Sequence, residues 1–189
     1  MRHKYATEAI VLSRTPQSEA NLLITLVTKE LGLVRARAQG VRKPAAKLAA
    51  ALQTFAGSDV VLVRGKEGWR VSGAILAYDY FAPLTFSMRA CAGRVAGLML
   101  RLASNDSNEP ELYELFEELL RVLPSLSSQE EEDAEVLAAL SLLSLLGLDA
   151  GGEVPKEGGR YGALAREYAQ KHRKDLIARI NRGIQASGL

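Results

Sequence analysis

The sequence predicts an α+β protein, a small five-stranded barrel followed by a domain made only of helices. Two observations carry that expectation. Strand-like runs rich in β-branched residues occupy the first 80 positions, whereas apolar residues recur at helical spacing through the remainder. Phe81-Ala82-Pro83-Leu84 lies where one pattern gives way to the other, and its proline ends the last strand.

Taken in chain order, Tyr5 to Ser13 alternates loosely around Ile10, Val11 and Leu12, and Leu22 to Thr28 reads LLITLVT. Leu33 to Ala38 alternates apolar with basic. As a strand it directs Val34, Ala36 and Ala38 inward and Arg35, Arg37 and Gln39 outward. Ala45 to Leu52 is alanine-rich without β-branching, which predicts a short helix. Val60 to Arg64 and Trp69 to Tyr80 give two more strands, and Gly65-Lys66-Glu67-Gly68 between them reads as a hairpin turn. Five strands with a helix between the third and fourth follow the order of an oligonucleotide-binding (OB) barrel. Such barrels bind nucleic acid on one sheet face and in the loops joining strands one to two and four to five. Residues 1–81 are therefore expected to form an OB-fold DNA-binding domain, and residues 82–189 a helical domain.

Within the second domain a helix is expected from Thr85 to Leu102. Asn108 can cap the next, with Pro110 in its first turn, Glu109 and Glu111 matching the helix dipole, and an end near Pro124. Ser128 followed by Glu131 reads as a capping box opening a helix to about Leu146, with Gly147 as its stop. Ala150 to Gly159 is glycine-rich loop, and two short helices near 160–171 and 173–186 complete the chain. The longest apolar window, VLAALSLLSLLGL, has about 13 residues and suits a core helix better than the ~20 of a membrane span. With no secretion signal visible, the chain reads as cytoplasmic.

Several kinds of chemistry find no support. No phosphate-binding loop of the Walker type, no HExxH and no CxxC is present. The single cysteine, Cys91, lies in an apolar stretch and reads as a core residue. Two histidines, His3 and His172, do not build a metal site. The expectation is a protein without catalytic residues, metal or cofactor.

Charge is unevenly distributed. Residues 1–80 hold 12 Lys/Arg against 6 Asp/Glu, a net +6; residues 81–160 hold 6 against 14, a net −8; residues 161–189 hold 6 against 2, a net +4. A basic N-terminal region fits a polyanionic partner. Its densest part is Arg35, Arg37, Arg42, Lys43 and Lys47, five cations in thirteen residues, with Gly40 and Pro44 suggesting a turn that approaches phosphates closely. Arg64, Lys66 and Arg70 form a second basic group around the predicted hairpin. The adjacent Trp69 either stacks on a base or packs on the barrel wall, and the wall is favoured. The C-terminal cluster of Arg166, Lys171, His172, Arg173, Lys174, Arg179 and Arg182 is read most simply as docking on the acidic middle helices.

The run Glu8-Ala9-Ile10-Val11-Leu12-Ser13-Arg14, then Ser18-Glu19-Ala20, Leu26-Val27-Thr28-Lys29-Glu30-Leu31-Gly32, Ala38-Gln39-Gly40-Val41-Arg42-Lys43 and Leu52-Gln53-Thr54-Phe55, resembles the RecO family of bacterial recombination mediators. Leu142 to Leu148 resembles the end of that family's leucine-rich helix. The sequence departs from the family pattern at Thr54, where proline is usual, and at Ala46, where serine is common. It departs most at Asp149 to Arg160, where many relatives carry a four-cysteine zinc module. Metal binding is therefore not carried over.

The resemblance implies an N-terminal OB fold, binding of single- and double-stranded DNA, and annealing of complementary strands. It also implies work with a RecR-like partner and with the acidic C-terminal tail of single-stranded DNA-binding protein to load the recombinase onto gapped DNA, and an association with the nucleoid. DNA contact carries over to Lys29, Arg35, Arg37, Arg42, Lys43 and Lys47. Arg14, Arg64, Lys66 and Arg70 join them from charge and loop position. The competing expectations are a protein–protein adaptor of the repair machinery and an enzyme carrying an OB targeting module.

Overall fold

The structure is a computed structural model that describes residues 3–17, 19, 21–41, 48–103, 109–149, 151–152, 154–155 and 157–188. It divides into two compact units, Met1–Ala82 with Ser104–Tyr113, and Pro83–Ala103 with Glu114–Leu189.

The first unit contains five strands, β1 (Lys4–Pro16), β2 (Leu22–Thr28), β3 (Gly32–Ala38), β4 (Ala56–Gly65) and β5 (Gly68–Asp79). They close into a barrel in the order β1-β2-β3-β5-β4. β1 is long because it serves two neighbours: Lys4 to Ile10 pairs with β4, and Ala9 to Pro16 pairs with β2. A bulge between Val11 and Ser13 accommodates the bend that this double pairing demands. The pairing of β3 with β5 is parallel and brief, limited to Ala36 opposite Trp69 and Arg37 opposite Arg70. Inward side chains from all five strands, among them Val11, Ile24, Leu26, Val34, Leu62 and Trp69, form one core.

The strands extend beyond the sequence reading, most at β4, where Ala56 to Asp59 precede the expected start at Val60. The helix expected over Ala45 to Leu52 is not seen in its described part. Leu48 to Phe55 makes a succession of turns instead, with Leu52 N–H on the Leu48 carbonyl and Ala56 N–H on that of Gln53. Phe55 holds φ at 60° while its ring stays buried and its N–H donates to the Val11 carbonyl. Core burial of the ring and that hydrogen bond hold a conformation which bulky residues rarely adopt. Residues 45–47 lie outside the described residues.

The second unit is helical: α1 (Phe86–Leu102), α2 (Glu111–Val122, entered from the first unit's Tyr113), α3 (Ser128–Leu145), α4 (Ala163–Lys171) and α5 (Arg173–Ala186). α3 is central, packing on α1, α4 and α5. Thr85 caps α1, its hydroxyl accepting from the Met88 N–H. The capping box at α3 is Ser127 with Glu130, one residue earlier than expected. Glu131, assigned that role from sequence, is instead buried and accepts from the Ser87 hydroxyl. Pro110 lies just ahead of α2, and Asn108 is outside the described residues. Cys91 is buried beneath α3, and burial pushes its thiol up to about 12.

The C-terminal arginines do dock on the acidic helices of this unit. Arg166 pairs with Glu130, Arg173 with Glu132 and Asp133, and Arg179 with Asp149. His172 is half-buried against the Tyr168 ring. Among the described residues no helix is long and apolar enough to cross a membrane.

Candidate nucleic-acid interface

The alternation of β3 has the consequence its sequence implies. Val34, Ala36 and Ala38 are buried, Arg35 and Gln39 are exposed, and Arg37 is half-buried. The end of the strand is positioned by Asn21, whose side-chain oxygen accepts from the Gly40 N–H at 3.1 Å. Because Arg37 stands opposite Arg70 in the β3–β5 pairing, two guanidinium-bearing residues from distant parts of the chain become neighbours.

The β4–β5 hairpin completes the cluster. Gly65 pairs with Gly68, so Lys66 and Glu67 form the tip, and Gly68 takes the reversal at φ 96°, where a side chain would be strained. Arg64, Lys66 and Arg70 then line a groove of about 600 Å³ together with Arg37 and Gln39. Trp69 supplies its wall and is 8% exposed. Its ring meets the Tyr5 ring edge-on at 5.2 Å, and the Arg64 guanidinium lies 5.1 Å from its centroid. The indole therefore fills the barrel and steadies Arg64, as the wall reading required, and offers no free face for base stacking.

The groove is not purely basic. Glu67 reaches from the hairpin tip to Arg37, Oε2 to Nη1 at 2.5 Å. Sequence reading singled out the cations around this turn and missed the carboxylate among them. Its only signal is a position between two glycines facing a basic strand.

The other expected contact residues are dispersed. Lys29, in the β2–β3 turn, pairs with Glu8 at 2.6 Å. Arg14 is half-buried on β1 and donates to the Gln53 side chain at 2.5 Å. Neither lines the groove. Arg35 is exposed on β3 two residues before Arg37, on the same face. Arg42, Lys43 and Lys47 lie outside the described residues.

Residues 1–77 match the family described as "Recombination protein O N terminal". The chain is 30% identical over 112 residues to the DNA repair protein RecO of Dehalococcoides mccartyi, covering 59% of this chain and 44% of that protein. It is 33% identical over 114 residues to the DNA repair protein RecO of Synechococcus elongatus, covering 60% of this chain and 43% of the relative. With that of Heliobacterium modesticaldum it shares 44% over 62 residues, or 33% of this chain and 23% of the other. The chain thus spans less than half the length of the curated relatives it matches.

Proposed function

We propose, from the match of residues 1–77 to the family described as "Recombination protein O N terminal", that this chain acts in DNA repair as a non-enzymatic recombination mediator whose barrel, read as an OB fold, binds DNA. The observation that carries the reading is the cross-strand placement of Arg37 and Arg70 beside Arg64 and Lys66 in one groove. Cations on a rigid sheet and a tight hairpin track a phosphate backbone without reading sequence. Arg35 extends the track along β3, and Arg42, Lys43 and Lys47 follow it in sequence. Lys29 and Arg14 make weaker contributions, because neither lines that groove.

Mechanistically, the groove neutralises phosphates and so lowers the repulsion between two complementary strands held at once, which accelerates their annealing without covalent chemistry. The expected substrates are single- and double-stranded DNA. A RecR-like partner and the acidic tail of single-stranded DNA-binding protein complete the machinery that loads the recombinase. The helical unit supports the second of these partners. A groove of about 770 Å³ between α1, α3 and α5 is lined by Ile177, Ile180 and Ile184 and by Arg94, Arg101 and Arg173, of which Arg94 pairs with Glu135 and Arg173 with Glu132. That combination suits an acidic peptide with an apolar end. The same groove is the observation that favours a second reading, a protein–protein adaptor with incidental DNA contact.

Fluorescence anisotropy of a labelled single-stranded oligonucleotide across a salt series separates the two. The mediator reading expects affinity to fall steeply with salt, and expects Arg37→Ala with Arg70→Ala to flatten the logarithmic slope by about 0.7 per lost phosphate contact. No binding even at low salt would leave the adaptor.

A further inference from the structure

We propose that the carboxylate of Glu67 occupies, in the free protein, the position of one backbone phosphate of the bound strand, and that the incoming strand displaces it from Arg37. The inference rests on the groove being a nucleic-acid interface.

Three observations carry it. Among the described residues, Glu67 is the one acidic residue lining a groove that also holds Arg37, Arg64, Lys66 and Arg70. It belongs to the hairpin tip, yet its partner is on β3, so the pair bridges the two elements that frame the groove. The pair is also accessible: the side chains of Arg37 and Glu67 are 43% and 80% exposed. An exposed ion pair of this kind is weak, contributing a factor of about two to five, and a polyanion can replace it.

Carboxylate and phosphate present the same thing to a guanidinium, paired anionic oxygens that accept its N–H groups. When Glu67 leaves, Arg37 exchanges one such partner for another, and the groove loses its internal negative charge as a phosphate arrives. The turn is built for that exchange. Gly65 and Gly68 flank the tip, and a Cβ at Gly68 would meet nothing within 4 Å, so the tip is not wedged against the barrel. The consequence is a moderated site. The phosphate bound at Arg37 competes with a tethered carboxylate at high effective concentration, so strands exchange readily. A protein that must release an annealed duplex needs such an exchange.

The test is a double-mutant cycle read by anisotropy of a labelled oligothymidine on the full chain, comparing wild type, E67Q, R37A and E67Q/R37A. E67Q is expected to tighten binding about two- to fivefold in the wild-type background, and to lose that gain when Arg37 is absent. An equal gain in both backgrounds would overturn the proposal, since Glu67 would then act only as diffuse negative charge. So would an unchanged affinity for E67Q beside a weakened R37A, which would leave the interface standing without a competing carboxylate. If R37A and R70A both bind like wild type, the interface itself fails and the inference falls with it. Far-ultraviolet circular dichroism on each variant establishes that the barrel is intact.

Discussion

At the scale of single residues, composition hides a well-buried ion pair of the helical unit. Asp149 and Arg179 form a bidentate pair, Nε to Oδ1 at 2.6 Å and Nη2 to Oδ2 at 2.5 Å, with side chains only 4% and 15% exposed. The same carboxylate accepts from the Gly151 N–H at 3.1 Å. A Cβ at Gly151 would lie 1.9 Å from the Arg179 Nε, so a side chain there would push the guanidinium away from Asp149. Removing one partner of a well-buried pair strands the other, so Asp149→Asn is expected to cost about 2–4 kcal/mol in denaturant unfolding. The pH dependence has a definite sign. Hydrogen bonds from the Arg179 guanidinium hold the Asp149 carboxyl below the usual carboxylate range. Its contribution is complete above the unfolded value of ~3.9 and is lost as pH falls through the lower folded one. The stability gap between wild type and Asp149→Asn should therefore narrow as pH drops from about 6 to 3. A gap that stayed constant would mean that the aspartate acts through packing alone.

At the scale of elements, the barrel was legible where neighbouring side chains alternate and illegible where the ladder is decided by a distant strand. β2 is found over the residues its β-branching predicts, because it is buried along nearly its whole length. The first four residues of β4 carry little propensity of their own, Ala56-Gly57-Ser58-Asp59, and are strand because Ile10, Ala9 and Glu8 of β1 pair with three of them. The capping box shows another limit. In Ser127-Ser128-Gln129-Glu130-Glu131 two registers satisfy the same spacing, and burial of Glu131 selects the earlier one. The described part of the alanine-rich connection is turn because the chain must bring Phe55 into the core with φ at 60°. Trp69 joins these elements, standing opposite Ala36 on β3 and Arg64 on β4. As the sole tryptophan, it reports on the barrel alone. Its emission should be blue-shifted and poorly quenched by acrylamide, and saturating single-stranded DNA should change it little. Strong quenching by DNA would mean that the indole leaves the wall to stack on bases.

At the scale of the whole molecule, the separation of charge along the chain resolves into two different uses. Three of the C-terminal cations, Arg166, Arg173 and Arg179, are spent inside the helical unit, on Glu130, Glu132, Asp133 and Asp149. Those that line the groove of the barrel are gathered on its surface, and the docking of the C-terminal cluster was legible in the sequence from the acidic middle helices. Both clusters meet carboxylates of their own unit, Lys29 with Glu8 and Arg37 with Glu67 in the barrel, and only the fold decides which cation meets which. The basic strand was legible from Arg35 and Arg37, but its meeting with Arg70 depends on a two-residue parallel contact that no local pattern announces. If annealing works by neutralising phosphates, the protein's guanidinium groups do what a divalent cation does for naked strands. Acceleration of the pairing of two complementary oligonucleotides should then persist in excess chelator and without any nucleotide. It should fall as monovalent salt rises, because salt competes for the same phosphates. Arg37→Ala with Arg70→Ala should lower the annealing rate, while the spontaneous rate without protein stays where salt alone sets it. Annealing that stopped with chelator would show a metal-dependent step, and the neutralisation mechanism would have to be abandoned.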